Sequence, residues 1–191
     1  LYVATQYFAQ ESVASGLDYP NQAQLFGIGK NTHKDPYWDK DAAVSVPCAK
    51  SFVLLLTDGA STKDSNIPST LKNFDPDTND NTSCAECDPS KNLFCLDTDC
   101  DYPSGGTDYL DDVALYARTT DLRTDLDGPQ NVMFYTVYAF DDNADARSLL
   151  QDASKNGGFE DLDGNNRPNL QAEWDGWEGD PQDGIPDNYF E

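Results

Sequence analysis

The feature that most constrains the fold is an uninterrupted apolar run from Phe52 to Leu56, which ends in a Thr-Asp-Gly turn at residues 57–59. Five apolar residues without alternation predict a strand buried on both faces, as in the centre of a parallel α/β sheet. Gly59 permits a sharp turn, so Asp58 presents its carboxylate at the sheet edge where such folds bind ligands. An oxygen ligand there suits Mg²⁺, Mn²⁺ or Ca²⁺. An ordinary Asp turn at the end of a strand explains the same residues equally well.

The charge balance restricts the partners. The chain has 12 Lys and Arg against 35 Asp and Glu, a net charge of −23, which repels nucleic acid and anionic lipid. No segment approaches the roughly 18 apolar residues of a membrane span, so direct membrane insertion is not expected. Acidic residues concentrate in two segments, eight with one Lys at 75–101 and nine with one Arg at 161–191. Carboxylates at this density either stay solvated or are neutralised by bound cations.

The cysteines favour an exported protein. Four of the five lie in one polar segment, at Cys84, Cys87, Cys95 and Cys100, while Cys48 stands apart before the apolar strand. Four thiols of this spacing fit a tetrahedral zinc site. Two disulfides fit the spacing equally well and suit a segment that has few apolar residues to hold its shape. We favour the disulfides, with Cys48 left to pair with a segment outside this chain or to remain free.

Hydrophobic periodicity predicts alternating helices and strands, and hence a parallel sheet covered by helices. The predicted elements are a helix at 1–15, the strand at 52–57, a helix at 108–119, a strand at 132–140, and a helix at 144–155 with an N-cap within 141–143 and a stop at Gly157. Residues 60–107 form an insert too long for an idle loop. A doubly wound sheet needs about five or six strands. None is expected beyond Phe159, so the missing strands should precede Leu1, and the chain looks like a processed or excised piece.

Several segments carry a resemblance to a known family. The apolar strand with its Thr-Asp-Gly turn and the helix at 149–158 resemble the second half of a von Willebrand factor A domain. More narrowly, the chain resembles the PilY-type proteins of type IV pili from about Cys48 onward and in its first helix. The segments that carry this narrower resemblance are 108–117, 120–123, 132–140, 156–159, 173–175 and 183–191.

The resemblance implies a divalent cation at a metal-ion-dependent adhesion site. In such domains the ion is bound by an Asp-x-Ser-x-Ser loop, a Thr of a second loop and the Asp of the Thr-Asp-Gly turn. Of these three groups only the last has a counterpart in this chain, Asp58. No Asp-x-Ser-x-Ser occurs in the chain. Either a preceding or separate segment supplies the rest, or the site is inactive. The resemblance also implies protein partners: pilins, a segment that completes the sheet, or a host or surface ligand.

The acidic tail, residues 161–191, predicts calcium binding. Its first loop places oxygen ligands at alternate positions, as EF-hand-like loops do. The candidate ligands are Asp161, Asp163, Asn165, the backbone carbonyl of Arg167, Asn169 and Glu173, the last one residue beyond the usual twelfth place. A second, less regular loop offers Asp175, Asp180, Asp183 and Asp187. A solvated acidic tail is the alternative for both loops.

These observations predict an α/β domain at 1–160, the C-terminal part of a von Willebrand factor A-like fold, followed by the calcium-loop segment 161–191. The predicted function is a secreted, cell-surface and pilus-associated adhesion or assembly component that depends on Ca²⁺, with Mg²⁺ or Mn²⁺ as alternatives at Asp58. The alternative is a non-adhesive, calcium-stiffened module that stabilises an extracellular filament. An enzyme is not expected, because His33 is the only histidine and nothing selects a pair of catalytic carboxylates. An extracellular hydrolase ranks third.

Overall fold

Three parallel strands form the sheet at the centre of the computed structural model, which describes residues 1–11, 29–32, 34–59, 66–72, 74, 107 and 109–191. Helix α1 spans Tyr2–Ala9, and strands β1 (Trp38–Asp39), β2 (Val44–Ser45) and β3 (Ser51–Thr57) follow. A 3-10 turn at Ser69–Leu71 precedes α2 (Leu110–Thr119), β4 (Val132–Tyr138), α3 (Ala144–Gly158), α4 (Gln171–Trp174) and β5 (Tyr189–Phe190). The predicted class, mixed α/β with a parallel sheet flanked by helices, is confirmed.

Strand β3 lies at one edge of the described sheet and not at its centre. It pairs in parallel with β4 over all seven residues, from Ser51 opposite Val132 to Thr57 opposite Tyr138. Its burial alternates, and Phe52, Leu54 and Leu56 are 52%, 66% and 66% exposed. The prediction that this strand is buried on both faces is therefore wrong for the part of the chain that the structure describes. Only the face that meets the helices is covered there.

A third strand comes from the acidic tail, where none was expected. Thr136 and Val137 of β4 pair in parallel with Tyr189 and Phe190 of β5, on the side of β4 away from β3. The side chain of Asn188 fixes this strand, because its amide donates to the carbonyl of Phe134 at 2.5 Å and to that of Ser154 at 2.6 Å. The expectation that no strand lies beyond Phe159 is wrong. Two residues of pairing are too short to show a periodic pattern.

Helices α2 and α3 cover one face of the sheet and pack against each other. Leu149 and Leu150 of α3 are each 3% exposed, as predicted for its inner face, and Val113 of α2 is also buried. The predicted N-cap of α3 is confirmed at Asn143, whose side chain accepts hydrogen bonds from the amides of Asp145 and Ala146. The first four backbone amides of a helix have no hydrogen-bond acceptor within the helix. Because the Asn143 side chain accepts from two of them, this cap stabilises α3.

Gly157 does not end α3 as predicted. The helix continues through Gly158 to a C-cap at Phe159. A Cβ on Gly157 would lie 2.6 Å from Cβ of Phe134 and 3.0 Å from Cβ of Ala114, closer than side chains pack. Gly157 is therefore required by the close approach of α3 to β4 and α2, and its backbone keeps helical geometry.

Helix α1 is shorter than predicted. It ends at Ala9, and Gln10 adopts the left-handed conformation with φ 54° that commonly closes helices. Helix α2 begins at Leu110, two residues after the predicted start. Strand β4 ends at Tyr138 because Phe140, with φ 75°, has left the extended region.

The outer face of the sheet carries exposed apolar side chains in the described residues. On this face β3 contributes Phe52, Leu54 and Leu56. The central strand β4 contributes the partly buried Tyr135, and β5 contributes Phe190, which is 47% exposed. The Phe52 and Tyr135 rings are 6.1 Å apart. None of the helices described here is both long and apolar enough to cross a membrane.

Candidate metal centre

The first acidic loop is held at both ends. It follows the C-cap of α3 at Phe159, which is 1% exposed and packs with Leu115 and Trp174. The amide of Glu160 donates to the carbonyl of Glu173 at 2.7 Å, which brings the start of the loop to α4. The loop is therefore a closed turn fastened to the helical core.

Asp161 organises the turn through backbone amides. Its Oδ1 accepts from the amides of Gly164 at 2.8 Å and Asn165 at 3.1 Å, and its Oδ2 accepts from Asn166 at 3.0 Å. Gly164 and Asn166 have positive φ, 80° and 59°, as so tight a turn requires. Partial desolvation raises the pKa of Asp161, but the hydrogen bonds from Asn166, Gly164 and Asn165 outweigh it, so the net shift is downward and the carboxylate stays charged.

Asp163 faces the same space from the exposed side. Its Oδ1 accepts from the Asn165 amide at 3.1 Å, and its Oδ2 accepts from the Asn165 side chain at 2.9 Å and the Asn169 side chain at 3.3 Å. The side chains of Asn165 and Asn169 also meet directly, at 2.7 Å. Four of the six predicted ligands thus converge within one loop. The carbonyl of Arg167 accepts from the Asn169 amide at 2.9 Å.

Glu173 closes the loop from α4. It is 4% exposed, and its two carboxylate oxygens accept from the amides of Leu162 at 3.1 Å and Leu170 at 3.0 Å. Carboxylate oxygens of Asp161, Asp163 and Glu173 lie within 4.8 Å of one another. Three carboxylates with this separation offer the hard oxygen donors that Ca²⁺ prefers. Exposed carboxylates also cluster in proteins without a metal ion.

The second acidic loop has a different geometry. Asp175 and Asp187 are 1% and 8% exposed, whereas Asp180 and Asp183 are exposed. Asp187 Oδ2 accepts from the amides of Gly176 at 2.7 Å and Trp177 at 2.8 Å, while its Oδ1 is buried and has no hydrogen-bond partner among the described residues.

Charges in the second loop act on one another. Desolvation raises the pKa of Asp180, and the negative charges of Asp187, Asp183 and Asp175 raise it further. Asp175 Oδ2 accepts from the amide of Gly184 at 2.7 Å, and Asp183 Oδ1 accepts from that of Ile185 at 2.9 Å. All four predicted residues therefore belong to one turn. Asp183 caps its own turn, and Asp175 and Asp187 are the two buried carboxylates of this loop.

Asp58 lies apart from both loops. It is exposed directly after β3, at the carboxyl end of the parallel strands, as the sequence predicts. The turn after β4 adjoins it, because a Cβ on Gly59 would lie 3.5 Å from Oδ2 of Asp141. Within the described ranges, Asp161, Asp163 and Glu173 form the one group of three or more potential metal-binding side chains, and Asp58 joins none.

Several predicted features lie outside the described residues. They are Cys84, Cys87, Cys95 and Cys100 with most of the insert, His33, and the end of the first predicted helix. Cys48 is described and exposed, and it has no disulfide partner within the part of the chain that the structure describes.

Two features that bear on the loops were missed from the sequence. The amides of Leu162 and Leu170 hold Glu173 in place, and Asn188 ties the second loop to the sheet. The Leu-x-x-Glu spacing at 170–173 is a signal for the first, because a Glu three residues into a helix commonly accepts from the residue that precedes it. No sequence pattern indicates the role of Asn188.

Comparison with known proteins adds no relative. No protein-family model matches the chain, and no curated protein and no solved structure matches it.

Proposed function

We propose that this chain is an exported, calcium-dependent adhesion or assembly component of type IV pili, built on a von Willebrand factor A-like fold of the PilY type. The observation that carries the proposal is the convergence of Asp161, Asp163 and Glu173, with carboxylate oxygens within 4.8 Å of one another. Carboxylates this close repel one another unless a cation or a proton lies between them. Ca²⁺ takes six to eight oxygen ligands at about 2.3–2.6 Å, and a loop of this kind supplies them.

The loop is suited to a resident calcium ion. Its backbone amides already orient Asp161 and Glu173, so little ordering of the carboxylates remains at binding. The amides of Asn165 and Asn169, which now contact Asp163, exchange nitrogen for oxygen by a half-turn of the side chain. An ion there stiffens the segment that connects α3 to β5.

Adhesion is assigned to the carboxyl end of the sheet. Asp58 is exposed at that end with Asp141 next to its turn, and the described sheet is parallel, as an A-type domain requires. In the proposed mechanism a divalent cation, Mg²⁺, Mn²⁺ or Ca²⁺, bridges Asp58 to a carboxylate of the partner. The remaining ligands come from another segment or chain.

The partner surface is assigned to β3 and the outer face of the sheet. In the described part of the sheet, nothing pairs with the outer edge of β3. Phe52, Leu54 and Leu56 are each more than half exposed beside it. An open strand edge with apolar neighbours favours addition of a further strand by a pilin or by a segment that completes the sheet.

A calcium-stiffened, non-adhesive module is the second candidate. The observation that favours it is the position of Asp58 outside any group of metal-binding side chains in the described residues, while the acidic tail is joined to the sheet through Asn188. In that case calcium stabilises the module and Asp58 is dispensable.

The test of calcium binding uses limited proteolysis with chymotrypsin, because Leu162 and Leu170 in the first loop are 57% and 43% exposed. We expect cleavage at these residues to slow at least tenfold in calcium relative to chelator, and this protection to be lost in Asp163→Asn. Asp142→Asn, which changes an exposed carboxylate outside the loop, should keep the protection. Equal cleavage of the wild-type chain in calcium and in chelator would remove the calcium assignment.

The test that separates the two candidate functions uses Asp58→Ala. Cell-surface or pilus binding by the full-length protein should fall at least tenfold if the chain is an adhesin, with calcium protection of the first loop unchanged. Unchanged binding with intact calcium protection selects the structural module.

A further inference from the structure

Arg118 places a positive charge against the start of the first acidic loop. It lies in the last turn of α2, and its Nε donates to the carbonyl of Phe159 at 2.9 Å. Its Cζ lies 5.5 Å from the centre of the buried Phe159 ring. Asp161 is two residues further along the chain, and two residues of chain span at most about 7 Å. The charge of Arg118 is therefore held close to the residue that organises the loop.

The guanidinium has no carboxylate in direct contact among the described residues. The ion pairs found there belong to Lys30, Arg123 and Arg147. Burial lowers the pKa of Arg118, and the negative charges of Asp161 and Glu160 act in the opposite direction. A partly buried cation of this kind is stabilised by negative charges at a longer distance than a contact pair.

The carboxylates of the first loop need such compensation. Carboxylate oxygens of Asp161, Asp163 and Glu173 lie within 4.8 Å of one another, and like charges this close repel. We propose that Arg118 is the internal counter-charge of the first acidic loop, which offsets this repulsion before a cation binds and lowers the affinity of the loop for calcium. The effect on affinity rests on the calcium binding in the proposed function, whereas the counter-charge does not.

The two effects of Arg118 have one cause. A positive charge that attracts the loop carboxylates repels a cation among them, and a divalent ion experiences this repulsion twice as strongly as a monovalent one. Because Arg118 is only partly exposed, salt screens its charge incompletely. Calcium must therefore replace an attraction that already exists, which weakens its binding. Weak binding suits a protein that meets calcium outside the cell, where modules have Kd values of about 10⁻⁴–10⁻³ M.

The first measurement is the calcium affinity of the full chain by isothermal titration calorimetry. Arg118→Gln removes the charge and keeps an N–H for the Phe159 carbonyl, and we expect its Kd for calcium to fall at least about threefold. Arg118→Met, which keeps apolar packing over the ring, should show the same gain in affinity. Arg118→Lys keeps the charge and should stay within about twofold of wild type.

Arg147→Gln is the matched control, because it removes the same net charge near the other end of α3. Arg147 lies about 18 Å along the helix from Phe159, at about 1.5 Å per residue. This separation exceeds the Debye length of about 8 Å at physiological ionic strength. The calcium affinity of Arg147→Gln should therefore stay within about twofold of the wild-type value.

The second measurement tests the counter-charge without calcium. Urea unfolding in chelator compares wild type, Arg118→Gln, Asp161→Asn and the double variant, and the cycle subtracts what each substitution loses by itself. We expect Arg118→Gln to destabilise the chain less in the Asp161→Asn background than in wild type. Circular dichroism confirms that each variant is folded.

Equal destabilisation by Arg118→Gln in both backgrounds overturns the proposal. Where wild type binds calcium, an affinity that does not rise in folded Arg118→Gln or Arg118→Met also overturns it. The same holds if Arg147→Gln gains as much affinity as Arg118→Gln, since net charge alone would then be responsible. A wild-type chain that binds no calcium but shows the coupling in chelator removes the calcium assignment of the proposed function and leaves Arg118 as the counter-charge.

Discussion

Arg123 and Asp35, 88 positions apart in the chain, form a two-point ion pair with both side chains removed from solvent. Nη1 of Arg123 lies 2.8 Å from Oδ1 of Asp35, and Nη2 lies 3.1 Å from Oδ2. Asp125 accepts a hydrogen bond from Nε of the same guanidinium. The centre of the Tyr37 ring lies 5.6 Å from Cζ of Arg123. The pair joins the segment before β1 to the loop after α2.

Removal of Asp35 is expected to be strongly destabilising. In Asp35→Ala, Arg123 keeps Asp125 but is left with an unpaired buried edge, and the free energy of unfolding should fall by about 3 kcal/mol. Urea unfolding followed by tryptophan fluorescence measures the change. Asp142→Ala removes an exposed partner of Arg147 and should cost less than about 1 kcal/mol. Equal effects of the two substitutions would contradict this account.

The same pair predicts a pH dependence. Burial raises the pKa of Asp35, but hydrogen bonds from Arg123, Tyr37 and Asn31 outweigh it, so the net pKa lies below its ordinary value of 3.8. The folded state therefore binds this proton less readily than the unfolded chain does, and the stabilisation is present above about pH 4 and is lost as the pH falls through the folded pKa. Urea midpoints of wild type and Asp35→Asn should converge at low pH. A constant difference from pH 6 to pH 2 would show that another group is responsible.

Gly157→Ala is expected to destabilise the fold although alanine favours helices. The new Cβ would lie 2.6 Å from Cβ of Phe134, and relief of that overlap should cost about 1–3 kcal/mol, more than the gain of about 1 kcal/mol in helix propensity. Thermal or urea unfolding measures the net effect. Gly59→Ala is the control, because its new Cβ would be 3.5 Å from the nearest atom, an ordinary contact. A stabilised Gly157→Ala would mean that α3 can move away from β4.

Asn188→Ala is expected to detach the tail from the sheet. The side chain donates to two buried carbonyls, those of Phe134 and Ser154, and each unpaired carbonyl costs about 1–3 kcal/mol. Hydrogen exchange of the Thr136 amide, which donates to the Asn188 carbonyl, reports the loss of pairing. Gln182→Ala, at an exposed position of the same tail, should leave exchange unchanged. Unaltered exchange in Asn188→Ala would show that the β5 pairing is sufficient alone.

The cysteines give a prediction about the insert. We expect the folded protein to present one reactive thiol, Cys48, which is exposed and has no disulfide partner among the described residues, and to yield five after unfolding and reduction. Thiol titration with and without reductant makes the measurement. Five thiols without reductant, or one equivalent of released zinc, would contradict two disulfides among Cys84, Cys87, Cys95 and Cys100.

Local signals in the sequence predict the elements well, because they depend on near neighbours. The N-cap at Asn143 follows from a carboxylate or amide side chain before the helix, and the apolar faces of α2 and α3 follow from helical spacing. The burial of β3 could not be predicted, since an apolar run does not say which of its faces has a neighbour. Gly157 illustrates the same limit: the sequence shows a glycine near a helix end, while the reason for it lies on β4.

The first acidic loop was predictable from alternating oxygen-bearing side chains, and the structure brings Asp161, Asp163 and Glu173 together. Glu173 falls one residue beyond the usual spacing. It lies in the short helix α4, which brings its carboxylate back to the loop. The burial of Asp175 and Asp187 has no such signal, because both belong to a run of acidic residues that predicts exposure.

The two-residue strand β5 sets the order in which the sheet comes apart. It is held to β4 by the pairing of Thr136 with Tyr189 and Val137 with Phe190, whereas β3 is held along seven residues. Short strand pairings open by local fluctuation at a much lower free energy than global unfolding requires. Residues 189 and 190 should therefore separate from β4 at a lower free energy than β3 does, and the side chain of Asn188 opposes that opening.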